Sequence, residues 1–229
     1  MFLFNGKKCA DICLKNTNKY VFKAVNDLIN DFERVSTFGV KPQIVKEATQ
    51  NCIIIEENTR SSAEPIADES YSITTENGNI VIRADGYLGT MWGIYTLSEK
   101  FLGVDPCYLF NDLAIVKKTA IEMPEVNIVD KPDGFGFRGV FINDEDLLQG
   151  WKDGGGARLV GGGYYYVTVA KSVIEKVVET VLRLKLNLVI PATFIDLDNP
   201  PEKNLADAVA ERGIYLSQHH CEPLGVSSF

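Results

Sequence analysis

The chain has 229 residues, of which 45% are hydrophobic and 24% are charged, as in an ordinary globular protein with a sizeable core. Its net charge of −8 provides no basic footprint for a phosphate backbone, so we do not expect nucleic acid as a partner. No stretch approaches eighteen uninterrupted apolar residues, so we expect no membrane-spanning segment and no membrane partner.

The first part of the chain, residues 1–115, predicts a small α/β domain. A helix is expected from Lys19, because Val21, Val25, Leu28 and Phe32 form one apolar stripe at helical spacing. Alternating apolar residues on both sides of Asn77-Gly78 predict a β-hairpin. Further strands are expected at 9–15, 44–45 and 52–55, and a second helix is expected after Gly89.

Residues 116–135 contain two prolines and predict a linker, after which residues 136–229 show a different pattern. Strands and helices alternate there, which is typical of a parallel sheet or barrel. The predicted order is strand 138–142, helix 170–185, strand 187–190, helix 202–212 and strand 214–217. A glycine-rich loop at 150–163 is long for a strand-to-helix connection, so it is expected to be functional or mobile.

The length of this second region leaves two interpretations open. A complete (β/α)8 barrel needs about 250 residues, and fewer than 100 follow Gly136. The region is therefore either a small three-stranded layer or the first three βα units of an incomplete TIM-like barrel in a truncated chain. Because such a sheet has an unpaired edge, self-association is expected.

Polar side chains follow the first and last of these strands. Asn143, Asp144 and Glu145 end the first one, and the last one leads into Gln218-His219-His220-Cys221-Glu222. Ligands bind where parallel strands end, so both groups are candidates for one pocket. The alternative for Asn143 and Asp144 is a turn followed by helix-capping acids. Zinc is disfavoured at the histidine pair because no third ligand has metal-like spacing.

Three stretches carry a resemblance to a known family. They are Arg138-Gly-Val-Phe-Ile-Asn-Asp-Glu145, Leu182-Arg-Leu-Lys-Leu-Asn-Leu-Val-Ile-Pro-Ala192 and His219-His220-Cys-Glu-Pro223. In order and spacing they resemble glycoside hydrolase family 115, whose members remove (4-O-methyl)glucuronic acid side groups from xylan. The preceding segment, 86–99, resembles the small α/β domain that precedes the barrel in glucuronidases and hexosaminidases. One departure is Cys221, which stands between the histidine pair and Glu222 and shifts the register of that carboxylate.

The resemblance implies an α-glucuronidase-like hydrolase acting on a carbohydrate, with no cofactor and no metal. It makes Asn143, Asp144, His219, His220 and Glu222 the substrate-contacting residues and Asp144 a candidate catalytic carboxylate. It also places the acid and base of the reaction beyond residue 229, so we expect the 229 residues alone to be inactive. The alternative is a non-catalytic carbohydrate-binding or interaction protein on the same fold.

The cysteines and the N-terminus bear on location. The five cysteines are odd in number and show no Cys-x-x-Cys spacing, which favours a reduced compartment. The opening Met1-Phe2-Leu3-Phe4 is too short for the apolar region of a signal peptide. We therefore expect a cytoplasmic protein; a leader that had been removed would leave no trace in this sequence.

Overall fold

The computed structural model describes residues 1–58, 69–131, 134–143, 154–158, 167–193 and 195–218. The chain forms two compact units, Met1–Gly134 and Phe135–Phe229. In the described parts of the chain, no helix has the length and apolarity needed to cross a bilayer.

The first unit is an α/β domain built on a six-stranded sheet. The elements of this domain are β3 (Asp11–Lys15), α1 (Lys19–Val35), β4 (Ile44–Val45), β5 (Cys52–Glu57), β6 (Tyr71–Glu76), β7 (Asn79–Ala84), α2 (Tyr87–Leu97) and β9 (Asn127–Asp130). The order of the strands in the sheet is β4-β3-β5-β7-β6-β9. Strands β4, β3, β5 and β7 are parallel, and β6 and β9 are antiparallel to their neighbours. A π-helical turn, Ser98–Leu102, continues α2.

Local sequence explains the helices and the hairpin of this unit. The side chain of Asn18 caps α1 by accepting a hydrogen bond from the backbone N–H of Tyr20. Asn77 and Gly78 both have positive φ, 50° and 76°, as the tight turn between β6 and β7 requires. The predicted helix from Lys19 and the predicted hairpin are both present.

The two helices contact each other through polar groups as well as apolar ones. The hydroxyl of Tyr95 donates to Asp27 over 2.7 Å, and the hydroxyl of Ser98 donates to Asp31 over 2.6 Å. Asp31 is fully buried and also pairs with Arg34 at 3.1 Å. Buried carboxylates are tolerated here because each has a hydrogen-bond donor.

The segment predicted as a linker, 116–135, lies mostly inside the first unit. It contributes β8 (Ala120–Glu122) and β9, and the boundary between the units falls after Gly134. Strand β8 joins a second, antiparallel sheet of order β2-β1-β8 with β1 (Phe2–Asn5) and β2 (Lys8–Cys9). Pro124 stands between two short strands, where it interrupts no ladder, so the proline signal marked an irregular connection inside the unit.

The second unit contains the predicted alternation of strands and helices. Its parallel sheet has the order β10-β13-β14, and its elements are β10 (Gly139–Phe141), β11 (Gly154–Ala157), β12 (Val167–Val169), α3 (Lys171–Arg183), β13 (Leu188–Ile190), α4 (Pro200–Ala210) and β14 (Tyr215–Leu216). Helix α3 buries Ile174, Val178 and Leu182, which are spaced four residues apart along one face.

Asn187 fixes the entry into β10. Its side chain is fully buried; it accepts a hydrogen bond from the backbone N–H of Arg138 at 2.8 Å and donates to the carbonyl of Gly136 at 2.8 Å. The guanidinium of Arg138 donates to the carbonyls of Phe135 and Lys185. Both side chains are therefore structural, at the amino-terminal end of the strand.

Candidate functional site

The candidate site is the edge at which β10, β13 and β14 end. The backbone N–H of Ile142 donates to the carbonyl of Ile190 at 2.9 Å, and that of Ser217 donates to the carbonyl of Val189 at 3.3 Å, so pairing continues just past the strands. Because all three strands are parallel, the residues that follow them lie along one edge of the sheet.

A hydrogen bond joins the first two strand ends. The hydroxyl of Thr193 donates to the Oδ1 atom of Asn143 over 3.0 Å. Thr193 is fully buried, whereas Asn143 is half-buried. The amide of Asn143 is thus anchored on its oxygen by a group that solvent does not reach.

Gln218 occupies the corresponding place after β14. Its Nε2 atom donates to the carbonyl of Ile195 at 2.8 Å, which ties the third strand end to the loop after the second. Its Oε1 atom is buried, and among the described residues it has no hydrogen-bond partner. A buried amide oxygen without a hydrogen-bond donor lowers the free energy of unfolding by about 1–3 kcal/mol. The edge therefore contains an acceptor that lowers the stability of the fold.

The loop between β13 and α4 is shaped by its own side chains. The carboxylate of Asp196 accepts a hydrogen bond from the backbone N–H of Asp198 at 2.9 Å. This is the contact of an Asx turn. Asp196 therefore acts as a turn former in this loop.

The same loop is joined to the β11–β12 hairpin. Asn199 donates through Nδ2 to the carbonyl of Ala157 at 3.0 Å and to Glu202 at 2.6 Å. Glu202 also pairs with Arg158 at 3.4 Å, and the two side chains are only 4% and 1% exposed. A buried ion pair with a hydrogen-bonded third member therefore holds the hairpin on the first turn of α4.

Glycine lets the hairpin approach that helix closely. A Cβ atom on Gly156, whose φ is +111°, would lie 2.8 Å from Cγ of Pro201, and one on Gly155 would lie 2.0 Å from the carbonyl oxygen of Thr168. The glycine-rich stretch was expected to be a functional or mobile loop; its described part is a strand packed against α4.

Of the residues predicted to contact substrate, the structure places Asn143 at the strand-end edge. Asp144, His219, His220 and Glu222 lie outside the described residues, so their roles stay predictions. Sequence reasoning missed Thr193, although its position just after the second strand was the available signal. Among the described residues no cluster of His, Cys, Asp or Glu side chains has an arrangement suited to a metal ion.

Comparison with known proteins tests the resemblance to glycoside hydrolase family 115. Residues 130–228 match the model of glycosyl hydrolase family 115. This part of the chain belongs to that family. The match covers all three strand ends of the candidate site, so Asn143, Thr193 and Gln218 lie in family 115 sequence. A comparison with curated proteins by sequence gives no match.

Solved structures extend the likeness to the whole chain. A family GH115 4-O-methyl-alpha-glucuronidase, BtGH115A, described as having specificity for decorated arabinogalactans, superposes with a TM-score of 0.73 at 21% identity, over 96% of this chain and 30% of that one. Flavobacterium johnsoniae chitobiase gives 0.60 at 15% identity, over 93% and 31%. Streptomyces plicatus N-acetyl-beta-hexosaminidase gives 0.57 at 14% identity, over 95% and 42%.

These likenesses settle the fold class of the family 115 segment and of the domain before it. The predicted fold class, a glucuronidase- or hexosaminidase-like α/β N-terminal domain followed by three βα units of a partial barrel, is confirmed. The predicted family is confirmed as well. The chain spans less than half the length of each of these three enzymes.

Proposed function

We propose that this chain is the N-terminal portion of a glycoside hydrolase that removes (4-O-methyl)glucuronic acid side groups from xylan. In this proposal the edge formed by the ends of β10, β13 and β14 is one wall of the sugar site. The observation that carries it is the anchored amide of Asn143, at a strand end within family 115 sequence.

The chemistry of this edge suits a sugar. An asparagine side chain both donates and accepts hydrogen bonds, as vicinal hydroxyls require, and Asn143 is held from its buried side by Thr193. The buried Oε1 atom of Gln218, which has no hydrogen-bond partner among the described residues, lies at the same edge. A wall with fixed, directional polar groups binds a ligand at a lower entropic cost than mobile groups would.

The residues that flank these groups in sequence complete the proposal. Asp144 follows Asn143 and is our candidate for one carboxylate of the pair that glycosidases use. His219, His220 and Glu222 follow Gln218 and are proposed to contact the sugar. A histidine that is partly protonated near neutral pH would favour the anionic carboxylate of a uronic acid over a neutral sugar.

Binding to the 229-residue chain tests this function without requiring hydrolysis. Titration with D-glucuronic acid, followed by amide NMR, is expected to shift signals at residues 140–143 and 190–193, whereas D-glucose at the same concentrations shifts them less. Asn143→Ala should weaken the response. Asn127→Ala is the matched control, since Asn127 is an exposed residue of the first unit.

Two results would contradict the proposal in different ways. Unchanged binding of glucuronic acid to the Asn143→Ala variant would show that the site assignment is wrong. Equal binding of glucose and glucuronic acid would favour a carbohydrate-binding protein without uronic acid selectivity.

We also propose that the protein resides in the cytoplasm, on its cysteine pattern, and that it self-associates. The cysteines at 9, 13, 52 and 107 are free thiols.

Among the described residues, β10 and β14 each pair only with β13, so each presents an unpaired edge. Light scattering over a range of protein concentrations should show a rising mass; a constant monomer mass would count against self-association.

A further inference from the structure

Strand β9 forms an open edge of the six-stranded sheet in the first unit. Among the described residues it pairs only with β6, in unbroken register from Tyr71 opposite Asp130 to Thr74 opposite Asn127. It has four residues, whereas the other edge strands of the two sheets in this unit, β2, β4 and β8, have two or three. Because an open edge is a template for a further strand, β9 is the edge of this unit best suited to pairing.

The hydrogen bonds of β9 show which of its backbone groups point away from β6. The N–H of Thr75 donates to the carbonyl of Val126 at 2.9 Å, so the backbone of Val126 faces β6. Backbone groups in an antiparallel pair point alternately toward and away from the partner strand. Ile128 therefore faces β6 as well, whereas Asn127 and Val129 direct their N–H and C=O groups outward. The side chains of these two residues are exposed, that of Val129 by 78%.

Exposed residues of opposite charge flank the strand, with Glu125 before it and Lys131 after it. An antiparallel pair of two β9 strands with its two-fold axis at Ile128 places Asn127 of one copy opposite Val129 of the other. Outward-facing backbone groups then meet outward-facing groups. The same register places Glu125 opposite Lys131 at both ends of the pair, and opposite charges in this position stabilise a strand pair. The neighbouring symmetric registers, centred on Asn127 or on Val129, bring neither charge opposite the other.

We propose that β9 is the surface through which two copies of this chain associate, by antiparallel pairing about Ile128 that joins their six-stranded sheets into one. This inference rests on the proposed self-association, and it names the surface and the register. The occupant of the edge is a second copy because the edge is complementary to itself in both hydrogen-bonding direction and charge. A two-fold contact of this kind uses the same patch on both subunits, so it closes at a dimer.

The first test reverses the charges at the two ends of the strand pair and measures the dimer dissociation constant by sedimentation equilibrium. We expect Glu125→Lys and Lys131→Glu each to weaken the dimer by about tenfold, because each substitution places like charges opposite each other twice. The double variant Glu125→Lys/Lys131→Glu restores opposite charges, so it should dimerise as the wild type does. The control Glu99→Lys changes the net charge equally at another exposed residue of the first unit and should have no effect. A double variant no better than the single ones would show that the register is wrong.

The second test blocks the edge itself. Lysine on an edge strand opposes the addition of another strand, so Val129→Lys should keep the chain monomeric at concentrations where the wild type dimerises. Val116→Lys is the matched control, because Val116 is 70% exposed and lies outside β9. In the wild type, hydrogen exchange at the amides of Asn127 and Val129 should slow as the protein concentration rises, whereas the amide of Ile128, which already faces β6, should be unaffected.

The outcomes separate this inference from the proposed self-association. If the wild-type chain is monomeric at every concentration, then both are wrong. If it associates but Val129→Lys associates equally well, and the amides of Asn127 and Val129 exchange at rates independent of concentration, then self-association stands and uses another surface, such as the edges of β10 and β14. In that case the assignment of β9 is wrong.

Discussion

Two ion pairs on helix α4 provide a direct test of how burial decides the strength of a contact. Glu202 pairs with Arg158 at 3.4 Å, with side chains 4% and 1% exposed. The next residue, Lys203, pairs with Asp207 at 2.6 Å, with side chains 52% and 38% exposed. Distance alone would rank the second pair as the stronger one. Burial ranks them in the opposite order.

The expected magnitudes follow from the environment of each pair. Glu202→Gln keeps the size of the side chain but leaves the buried guanidinium of Arg158 without its carboxylate, and breaking a buried pair costs about 3–5 kcal/mol. We expect the lower end, because 3.4 Å is a long contact for this pair. Asp207→Asn removes a solvent-exposed pair at helical spacing, which is worth about 0.3–0.5 kcal/mol. The substitutions Glu202→Gln and Asp207→Asn, both on α4, should therefore differ several-fold in their effect on the free energy of unfolding.

Urea unfolding of each variant, followed on the NMR signals of the buried residues Val189 and Val209, measures this free energy for the second unit. The double variant Arg158→Met/Glu202→Gln removes the buried guanidinium together with its carboxylate, so it should recover at least half of the loss. If Asp207→Asn is as destabilising as Glu202→Gln, or if the double variant is less stable than either single one, then burial does not decide the strength of these ion pairs.

Three further predictions concern the first unit. Tyr95→Phe should lower the free energy of unfolding by about 1.5–3 kcal/mol, because the buried carboxylate of Asp27 loses the hydrogen bond from the Tyr95 hydroxyl; urea unfolding should show almost no loss for the control Tyr20→Phe. Gly93→Ala should lower the melting temperature, since the new Cβ would lie 2.6 Å from Cγ2 of Ile82; a rise would mean that helix propensity outweighs the clash. Hydrogen bonds from Arg83 and Thr74 lower the pKa of Glu76 from 4.5 to about 2. Its stabilising effect should therefore be present above pH 4.5 and disappear as the pH falls toward 2. An NMR titration should show that midpoint, and Arg83→Gln should raise it; an unchanged midpoint in Arg83→Gln would contradict the assignment of the shift to Arg83.

Much of the fold could be predicted because its signals are local. The helix from Lys19 is specified by apolar spacing, and the hairpin is specified by the conformational demands of Asn77 and Gly78. Strand β8 could not be predicted in this way. It has three residues, and it forms a strand because Phe2 lies opposite Glu122. No local pattern encodes this pairing.

The candidate site likewise contains residues that a local pattern predicts and contacts that depend on tertiary packing. Asn143 could be found because an apolar strand stops at a polar residue. The position of Thr193 just after a strand was visible as well, but its contact with Asn143 was not, because that contact depends on the register between two strands that are about fifty residues apart. The salt link between Arg158 and Glu202 is of the same kind: each residue is an ordinary charge in sequence, and only the packing of the hairpin on α4 makes the pair a buried one.

The pairing of β1 with β8 also sets an order of events during synthesis of the protein. Residues 120–122, which pair with residues 2–5 on one side, follow them by more than a hundred positions in the chain. At about 5–20 residues per second, β1 waits roughly 6–24 s for this partner, whereas β2, its partner on the other side, is made directly after it. During that interval the side chains of Leu3 and Phe4, which are fully buried in the finished domain, have no completed sheet to enter. Strand β1 therefore stays incompletely paired for most of the synthesis of the first unit.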